Sequence, residues 1–240
     1  MSKVKIAIIG GSGVYDPTIF KKEKEVKIKT PFGFPSAPIK IGDFLGKKIA
    51  FLARHGKKQE ILPHKINYKA NIYALKKLGV KYIFAFNSVG SLRKKIKPGD
   101  FLIVSDYIDF DPPSFFEKKL EFITPKISEK LRKILIKIFK KLKLRFLKTG
   151  VYFNTKGPRL ETKAEINLMK NFTDVVGMTM AKEATLAQEI NLEYVSLCSI
   201  DNYAHGITKK PLTHHQIKEN QRKNNKILEK IMVEILRFNL

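Results

Sequence analysis

Glu161 stands immediately before a predicted helix and is not needed to cap that helix. Thr162, followed three residues later by Glu165, forms a capping box in which these two side chains serve the helix N-terminus. The Glu161 carboxylate is therefore free to accept hydrogen bonds from a ligand edge that carries N–H donors. The alternative is a solvated surface glutamate that is favoured there by the helix dipole.

Polar residues also follow several apolar strand-like runs along the chain. In open α/β sheets, ligand sites gather at the carboxyl ends of the strands. We therefore expect these residues to converge in one crevice if their strands are neighbours. They are Ser12, Arg54 with His55, Asn87 with Ser88, Thr179 and Asn202.

Three of these positions have side chains or backbone groups that suit an anion. The turn Gly10-Gly11-Ser12-Gly13 can expose N–H groups and a hydroxyl, as a phosphate cradle or simply as a tight structural turn. Arg54 offers a fork of donors to an oxyanion, although Arg54 and His55 could also be a surface pair. Thr179 lies between a strand and a helix, so its hydroxyl and N–H could face an anion or only cap the helix.

The elements that must position these residues alternate between strand-like and helix-like runs, which is typical of the α/β class. With 240 residues and 43% hydrophobic content, residues 1–240 are expected to form a single domain. The sequence lacks the run of about 18 apolar residues that a membrane span needs. We expect no signal peptide, because the first residues lead directly into a strand. We expect no internal disulfide, because Cys198 is the single cysteine, and it lies in an apolar run. These features predict a cytoplasmic protein.

The formal net charge of +25 raises the question of a nucleic-acid partner. Lysine outnumbers arginine by 40 to 7, whereas base reading and bidentate phosphate recognition favour arginine. The lysines are dispersed, and the densest run, residues 126–148, reads as an amphipathic helix with a solvated face. We therefore predict no specific nucleic-acid binding and keep a basic, non-catalytic nucleic-acid-binding protein as a distant alternative. The sequence also shows no cluster with metal-ligand spacing, so we predict no metal.

Taken together, the motifs resemble those of the trimeric purine nucleoside phosphorylases and methylthioadenosine phosphorylases. The resemblance runs from about Lys5 to the last helix. It implies a single-domain three-layer α/β/α fold with a central mixed β-sheet, and no organic cofactor, with inorganic phosphate as co-substrate. It also implies a homotrimer or a dimer of trimers. The motifs that carry it are Gly10-Gly11-Ser12-Gly13, Leu52-Ala53-Arg54-His55-Gly56, Ile66-Asn67-Tyr68-Lys69-Ala70-Asn71-Ile72, Asn87-Ser88-Val89-Gly90-Ser91-Leu92, Gly157-Pro158-Arg159-Leu160-Glu161-Thr162 and Val176-Gly177-Met178-Thr179.

The resemblance also implies roles for individual residues. Met178 would pack against the ribose, and Asn202 would act on the purine as the catalytic residue, with Tyr203 and Ala204 beside it. A shift of one position would instead bring Asp201 to the purine. The residues implied to bind phosphate are Ser12, Arg54, His55, Asn87, Ser88 and Thr179.

Glu161 and Asn202 resemble the 6-oxopurine members, whereas adenine-using members have serine at the first position and aspartates around the second. Hypoxanthine and guanine carry an N1–H group that can donate a hydrogen bond to Glu161, whereas adenine has a bare lone pair there. A site built around such a hydrogen bond discriminates by about 10⁴ or more. The resemblance also implies that the 5′ group is read at His214, where family members that use a 5′-hydroxyl, as in inosine or guanosine, carry histidine. The remaining motifs are closer to the methylthioadenosine branch. 5′-Methylthioinosine therefore stays open as a substrate, and methylthioadenosine phosphorylase is the alternative function.

Overall fold

The computed structural model describes residues 4–11, 21–117, 120–209 and 213–240, without the side chains of residues 21–23 and 214. Within these ranges, eleven strands join into one mixed sheet. In chain order they are β1 (Ile6–Gly10), β2 (Lys21–Val26), β3 (Ile39–Phe44), β4 (Lys47–Ala53), β5 (Tyr82–Ser91), β6 (Phe101–Ile103), β7 (Asp106–Ile108), β8 (Phe146–Leu147), β9 (Val151–Asn154), β10 (Val175–Gly177) and β11 (Glu193–Tyr203).

The centre of the sheet is parallel and buried. β1 pairs in parallel with β4 on one side and with β5 on the other, and β5 also pairs in parallel with β11. These strands are nearly continuous apolar runs, as expected for parallel strands covered on both faces. Because the four strands run in the same direction, their carboxyl ends meet at one edge of the sheet.

Antiparallel pairs complete the sheet on both sides of this centre. β2 and β3 continue it beyond β4, and β10 joins β5 in the antiparallel direction. β9 and β7 follow β10 in parallel, while β6 pairs with β11 and carries β8.

The described ranges hold five α-helices, four of which pack on the sheet in two pairs, and this confirms the predicted α/β/α fold class. α1 packs on α4 and α2 packs on α5, and β11 contacts α2, α4 and α5. The apolar face of α2 is buried, as its spacing predicts, and Ser128 caps its N-terminus. The helices are α1 (Tyr68–Lys77), α2 (Glu129–Lys141), α3 (Lys163–Met169), α4 (Met180–Glu189) and α5 (His214–Arg237).

Two elements differ from the sequence prediction in ways that matter for the site. The sequence predicts one helix over Pro63–Leu78. The structure instead has a 3-10 turn, Pro63–Lys65, followed by α1, because Asn67 caps α1 by accepting a hydrogen bond from the Ala70 N–H. β5 and β11 also run past their predicted ends, since they pair with each other as far as Ser91 and Tyr203. The polar residues expected after these strands are therefore part of them.

Candidate active site

A cleft of about 740 Å³ opens at the carboxyl edge of the parallel strands. It brings together residues from β4, β5, β10 and β11, as the strand-end pattern predicts. Asn87 and Tyr203 are not part of its lining, and Ser12 and the side chain of His214 lie outside the described residues. The predicted site residues that line it are Arg54, His55, Ser88, Glu161, Met178, Thr179, Asn202 and Ala204.

Arg54 is buried at the floor of this cleft and is held by an ion pair that the sequence did not predict. Its Nε donates to Glu183 Oε1 at 2.5 Å, and its Nη2 donates to Glu183 Oε2 at 2.9 Å. Nη1 donates to the Phe86 carbonyl at 2.9 Å. Tyr194 fixes the far side of Glu183 through a 2.9 Å hydrogen bond. The guanidinium is thus fixed on every nitrogen.

The guanidinium of Arg54 keeps its charge and part of its donor capacity. Burial alone would lower the pKa of Arg54, but the adjacent Glu183 carboxylate outweighs that effect and raises it. Arginine has five N–H donors, and the three bonds just described leave one on each terminal nitrogen. A Cβ at Gly11 would collide with Arg54 Nη1, so only glycine lets the backbone at this position come so close to the guanidinium.

Thr179 lies at the N-terminus of α4, and its hydroxyl does not cap the helix. Its Oγ1 accepts a hydrogen bond from Asn87 Nδ2 at 2.9 Å and makes no capping bond. Its N–H donates to the Tyr152 hydroxyl at 3.2 Å, so the N–H does not face the cleft as the sequence had suggested. The hydroxyl can therefore donate to an anion.

Asn87 lies beneath Thr179. Its Oδ1 accepts from the Ser196 hydroxyl at 2.8 Å, so both ends of the amide are engaged inside the protein. The structure places Asn87 as the support of Thr179, and its predicted contact with phosphate stays a prediction.

His55 is half-buried next to Arg54 and is neutral. Burial and the charge of Arg54 both lower its pKa. Its Nδ1 lies 2.9 Å from the Ile61 carbonyl, which fixes the N–H on Nδ1 and leaves Nε2 as an acceptor.

Glu161 is buried and oriented, with 7% of its surface exposed, which excludes the solvated alternative. The Thr155 hydroxyl donates to its Oε1 at 2.7 Å. His205 Nδ1 lies 3.3 Å from the Glu161 carbonyl and braces the same loop. A carboxylate held in this way presents acceptor oxygens to the cleft.

The residues around Glu161 take the structural roles that the sequence predicts. Thr162 and Glu165 form the capping box of α3, with both reciprocal bonds present. Arg159 is exposed and paired with Glu165 at 2.7 and 2.8 Å, so it fixes the loop and does not line the cleft.

A β-bulge decides between Asp201 and Asn202. Ile200 pairs with Val89 and Asn202 pairs with Gly90, so Asp201 is the extra residue. Asp201 is fully buried, whereas Asn202 lines the cleft. Asn202 Nδ2 donates to the Tyr203 carbonyl at 2.9 Å, which leaves its Oδ1 as a free acceptor.

Tyr203 points away from the cleft that its predicted role requires. Its hydroxyl donates to the Lys94 carbonyl at 3.2 Å, and its ring packs against a small apolar cluster that includes Ala204. The Tyr203 side chain does not line the cleft in this structure, and its predicted contact with the purine stays a prediction.

One wall of the cleft is formed by α5 residues that were not predicted from the sequence. Lys218, Gln221, Arg222 and Asn225 line it beside Ile217. Their spacing of three, four and seven residues places polar side chains on one helix face. This spacing could have indicated a cleft wall, but a helix face exposed to solvent shows the same polar pattern.

In the described ranges, no group of three or more His, Cys, Asp and Glu side chains is arranged to hold a metal ion. None of the helices described here combines the length and apolar content of a membrane span.

Comparisons with known proteins agree with this geometry. The family model described as "Phosphorylase superfamily" matches residues 5–237. An Archaeoglobus fulgidus protein named "Probable 6-oxopurine nucleoside phosphorylase" is 42% identical, over 97% of this chain and 96% of the relative. The "S-methyl-5'-thioadenosine phosphorylase" of Pyrococcus furiosus is 39% identical, over 96% and 93%. The solved structure of methylthioadenosine phosphorylase from Schistosoma mansoni in complex with adenine superimposes with a TM-score of 0.90 at 28% identity, covering 98% of this chain and 93% of that one.

Proposed function

This chain belongs to the phosphorylase superfamily, and from that premise we propose that it is a purine nucleoside phosphorylase that acts on 6-oxopurine nucleosides. It would transfer the ribosyl group of inosine or guanosine to inorganic phosphate, giving the free purine and ribose-1-phosphate. The observation that carries the proposal is the buried Glu161 carboxylate in the same cleft as Arg54 and Thr179.

Glu161 supports a 6-oxopurine as the base. The Thr155 hydroxyl donates to Oε1, and the carboxylate can also accept a hydrogen bond from the N1–H of hypoxanthine, or from the N1–H and 2-amino group of guanine. Adenine would bring its N1 lone pair against the buried carboxylate with no proton between them. Leaving such a buried acceptor unpaired costs about 1–3 kcal/mol, and more for a charge.

Arg54 and Thr179 support a phosphate next to the sugar. Arg54 contributes a fixed positive charge with two N–H donors that have no partner among the described residues, and Thr179 contributes a hydroxyl at a helix N-terminus. Both donors are buried, so their interaction with an anion is only weakly screened by water. Phosphate held in this way lies beside C1′ before reaction, which supplies proximity.

Asn202 supports the departure of the base. As the bond between C1′ and N9 breaks, the sugar gains oxocarbenium character and the purine gains negative charge. The phosphate anion stabilises the sugar and then bonds to C1′. The free Oδ1 of Asn202 can accept a hydrogen bond from protonated N7, which favours the neutral leaving base. Met178 would pack against the ribose between these two halves.

The α5 wall supports a 5′-hydroxyl in the substrate. By resemblance, the 5′ group is read at His214, the first residue of α5. The next turns bring Lys218 and Gln221 to the cleft, with Ile217 as the apolar exception. A methylthio group has no hydrogen bond to offer this wall, whereas a hydroxyl does.

We also propose that the enzyme needs inorganic phosphate and no organic cofactor, and that it works in the cytoplasm as a homotrimer or a dimer of trimers. Light scattering of the purified protein coupled to size exclusion tests the assembly. A monomeric mass would contradict it.

The function is tested by incubating the protein with inosine, guanosine, 5′-methylthioinosine and 5′-methylthioadenosine, each with and without phosphate, and quantifying the released base. We expect phosphate-dependent release of hypoxanthine and guanine, faster from inosine than from methylthioinosine. Faster release of adenine from methylthioadenosine would identify a methylthioadenosine phosphorylase instead. No base release, together with steeply salt-dependent duplex binding, would favour the nucleic-acid-binding alternative.

A further inference from the structure

Asp201 is a buried carboxylate next to the proposed catalytic residue that the reaction itself does not use. It is 0% exposed and forms the bulge that turns Asn202 into the cleft. Its backbone carbonyl and its side chain contact two helix turns and two strands. Burying a carboxylate is costly, so we ask what these contacts do for the site.

The hydrogen bonds that the described residues make to Asp201 come from neutral donors. Asn224 Nδ2 donates to Oδ1 at 2.7 Å and the Ser199 hydroxyl donates to Oδ2 at 3.2 Å. Asn220 Nδ2 donates to the backbone carbonyl at 2.8 Å. The Ser88 hydroxyl is a further neutral neighbour, which lowers the pKa of the carboxyl. Side-chain donors on both carboxylate oxygens suit an ionised acid, which only accepts.

Two of these donors belong to α5, the helix that forms one wall of the cleft. Asn220 and Asn224 are four residues apart and so lie on the same helix face. Gln221, between them, donates to Ser88 Oγ at 3.0 Å and lines the cleft. Asp201 therefore joins α5 to the ends of β5 and β11, the strands that carry Ser88 and Asn202.

Ser88 lies beside this link. Its Oγ accepts a hydrogen bond from Gln221 Nε2 at 3.0 Å, and its hydroxyl lowers the pKa of the Asp201 carboxyl. The Ser88 side chain, which lines the cleft, is thus held between α5 and the Asp201 carboxylate.

From this geometry we propose that Asp201 is a positioning residue for the phosphorolysis proposed above. Its carboxylate holds the α5 wall and the Ser88 hydroxyl in the arrangement that the substrate meets. The role is lost when that carboxylate is protonated, because a protonated acid must donate where only donors face it.

The surroundings explain why this group titrates in an accessible range. Burial raises the pKa of Asp201 to about 6, and the hydrogen bonds from Ser88, Asn224 and Ser199 oppose that rise only in part. Among the described residues, the facing side chains from β5 and α5 are the neutral Ser88, Asn220 and Asn224, and a titratable neighbour on β11 is the Cys198 thiol. The folded protein therefore loses this anion as the pH falls through about 6.

The test compares Asp201→Asn with the wild type and with Ser199→Ala, a matched control that removes one donor but leaves the link to α5. We expect Asp201→Asn to remain folded, as judged by its thermal melting curve, and to lose about tenfold in kcat/KM near pH 7.5. The wild type and Ser199→Ala should share a decline in kcat/KM below about pH 6 that Asp201→Asn lacks. Any decline common to all three belongs to the substrate phosphate.

Hydrogen exchange gives a readout that does not depend on catalysis. We expect Asp201→Asn to increase exchange in residues 214–225, and Ser199→Ala to leave it unchanged. A folded Asp201→Asn with wild-type kcat/KM, pH profile and exchange would overturn the positioning role. If the wild type shows no phosphorolysis, the proposed function fails, whereas the exchange comparison still decides the role of Asp201. If Asp201→Asn does not fold, Asn224→Ala cuts the same link and takes its place in both assays.

Discussion

Removal of Glu183 is predicted to unfold the floor of the cleft, because this residue neutralises Arg54. The two side chains are 0% and 1% exposed, and two charge-assisted bonds of 2.5 and 2.9 Å join them. In Glu183→Ala the guanidinium would stay buried without a counter-ion. Breaking a buried pair on one side in this way costs about 3–5 kcal/mol.

For a chain of 240 residues, each kcal/mol corresponds to about 2–4 °C in melting temperature. The expected drop for Glu183→Ala is therefore roughly 6–20 °C. The KM for phosphate should rise as well, because Arg54 loses the partner that aims its free N–H groups. Glu183→Gln keeps the shape and one acceptor, so it should fall between the wild type and Glu183→Ala on both measurements.

Differential scanning fluorimetry and phosphate-dependent initial rates check this prediction. Glu219→Ala is the matched control, because Glu219 pairs with Lys223 on the exposed surface of α5, where solvent screens the interaction. The control should melt like the wild type. A Glu183→Ala protein that melts within about 2 °C of the wild type, well under the shift from a broken buried pair, and keeps its phosphate KM would refute the reasoning.

Three further predictions concern the leaving group, the packing under Thr179 and the thiol. Asn202→Ala should reduce kcat by about 10²–10³ with little change in the phosphate KM, since it removes one stabilising contact to the departing purine; near wild-type turnover in steady-state assays would end that assignment. Gly177→Ala should destabilise the fold by about 1–3 kcal/mol in denaturant titrations, because the new Cβ collides with the Tyr152 hydroxyl; an unchanged midpoint would show that the strand yields. Burial raises the pKa of Cys198 to about 12, so an aromatic disulfide reagent at pH 8 should label the native protein far more slowly than the urea-unfolded one; equal rates would contradict its burial.

The sequence predicted the convergence of the site because parallel apolar strands leave a strong local signal. The sequence predicts strands over Lys47–Ala53 and Val151–Asn154, and β4 and β9 have these bounds. The residues that follow β4 and β10 line the cleft, as predicted. Glu161 could also be predicted, since the capping box accounts for its two neighbours and leaves its own side chain free.

Features that depend on pairing between distant segments could not be predicted. The bulge at Asp201 is a property of how β11 aligns with β5, and the sequence allows either Asp201 or Asn202 to face the ligand. Glu183 looks like a surface helix residue until α4 packs it onto Arg54. β2 consists almost entirely of lysine and glutamate, so it has no apolar pattern and is a strand only because β3 pairs with it.

The polarity of α5 carried the same ambiguity. Lys218 and Arg222 fit a solvated helix face as well as a cleft wall, and only the docking of Asn220 and Asn224 onto Asp201 turns that face toward the site. Local spacing could therefore mark a polar face, but only tertiary contact shows that it lines the cleft.

The most direct test of the account is the ratio of kcat/KM for inosine to that for adenosine, measured in the wild type and in Glu161→Gln. The wild type should favour inosine by about 10⁴ or more, because the carboxylate accepts a hydrogen bond from the N1–H group that adenosine lacks. The glutamine amide can donate to the bare N1 of adenine, so the ratio should fall by at least about tenfold in the variant. A wild type that cleaves both nucleosides equally well, or a variant with an unchanged ratio, would contradict the claim that Glu161 reads the base.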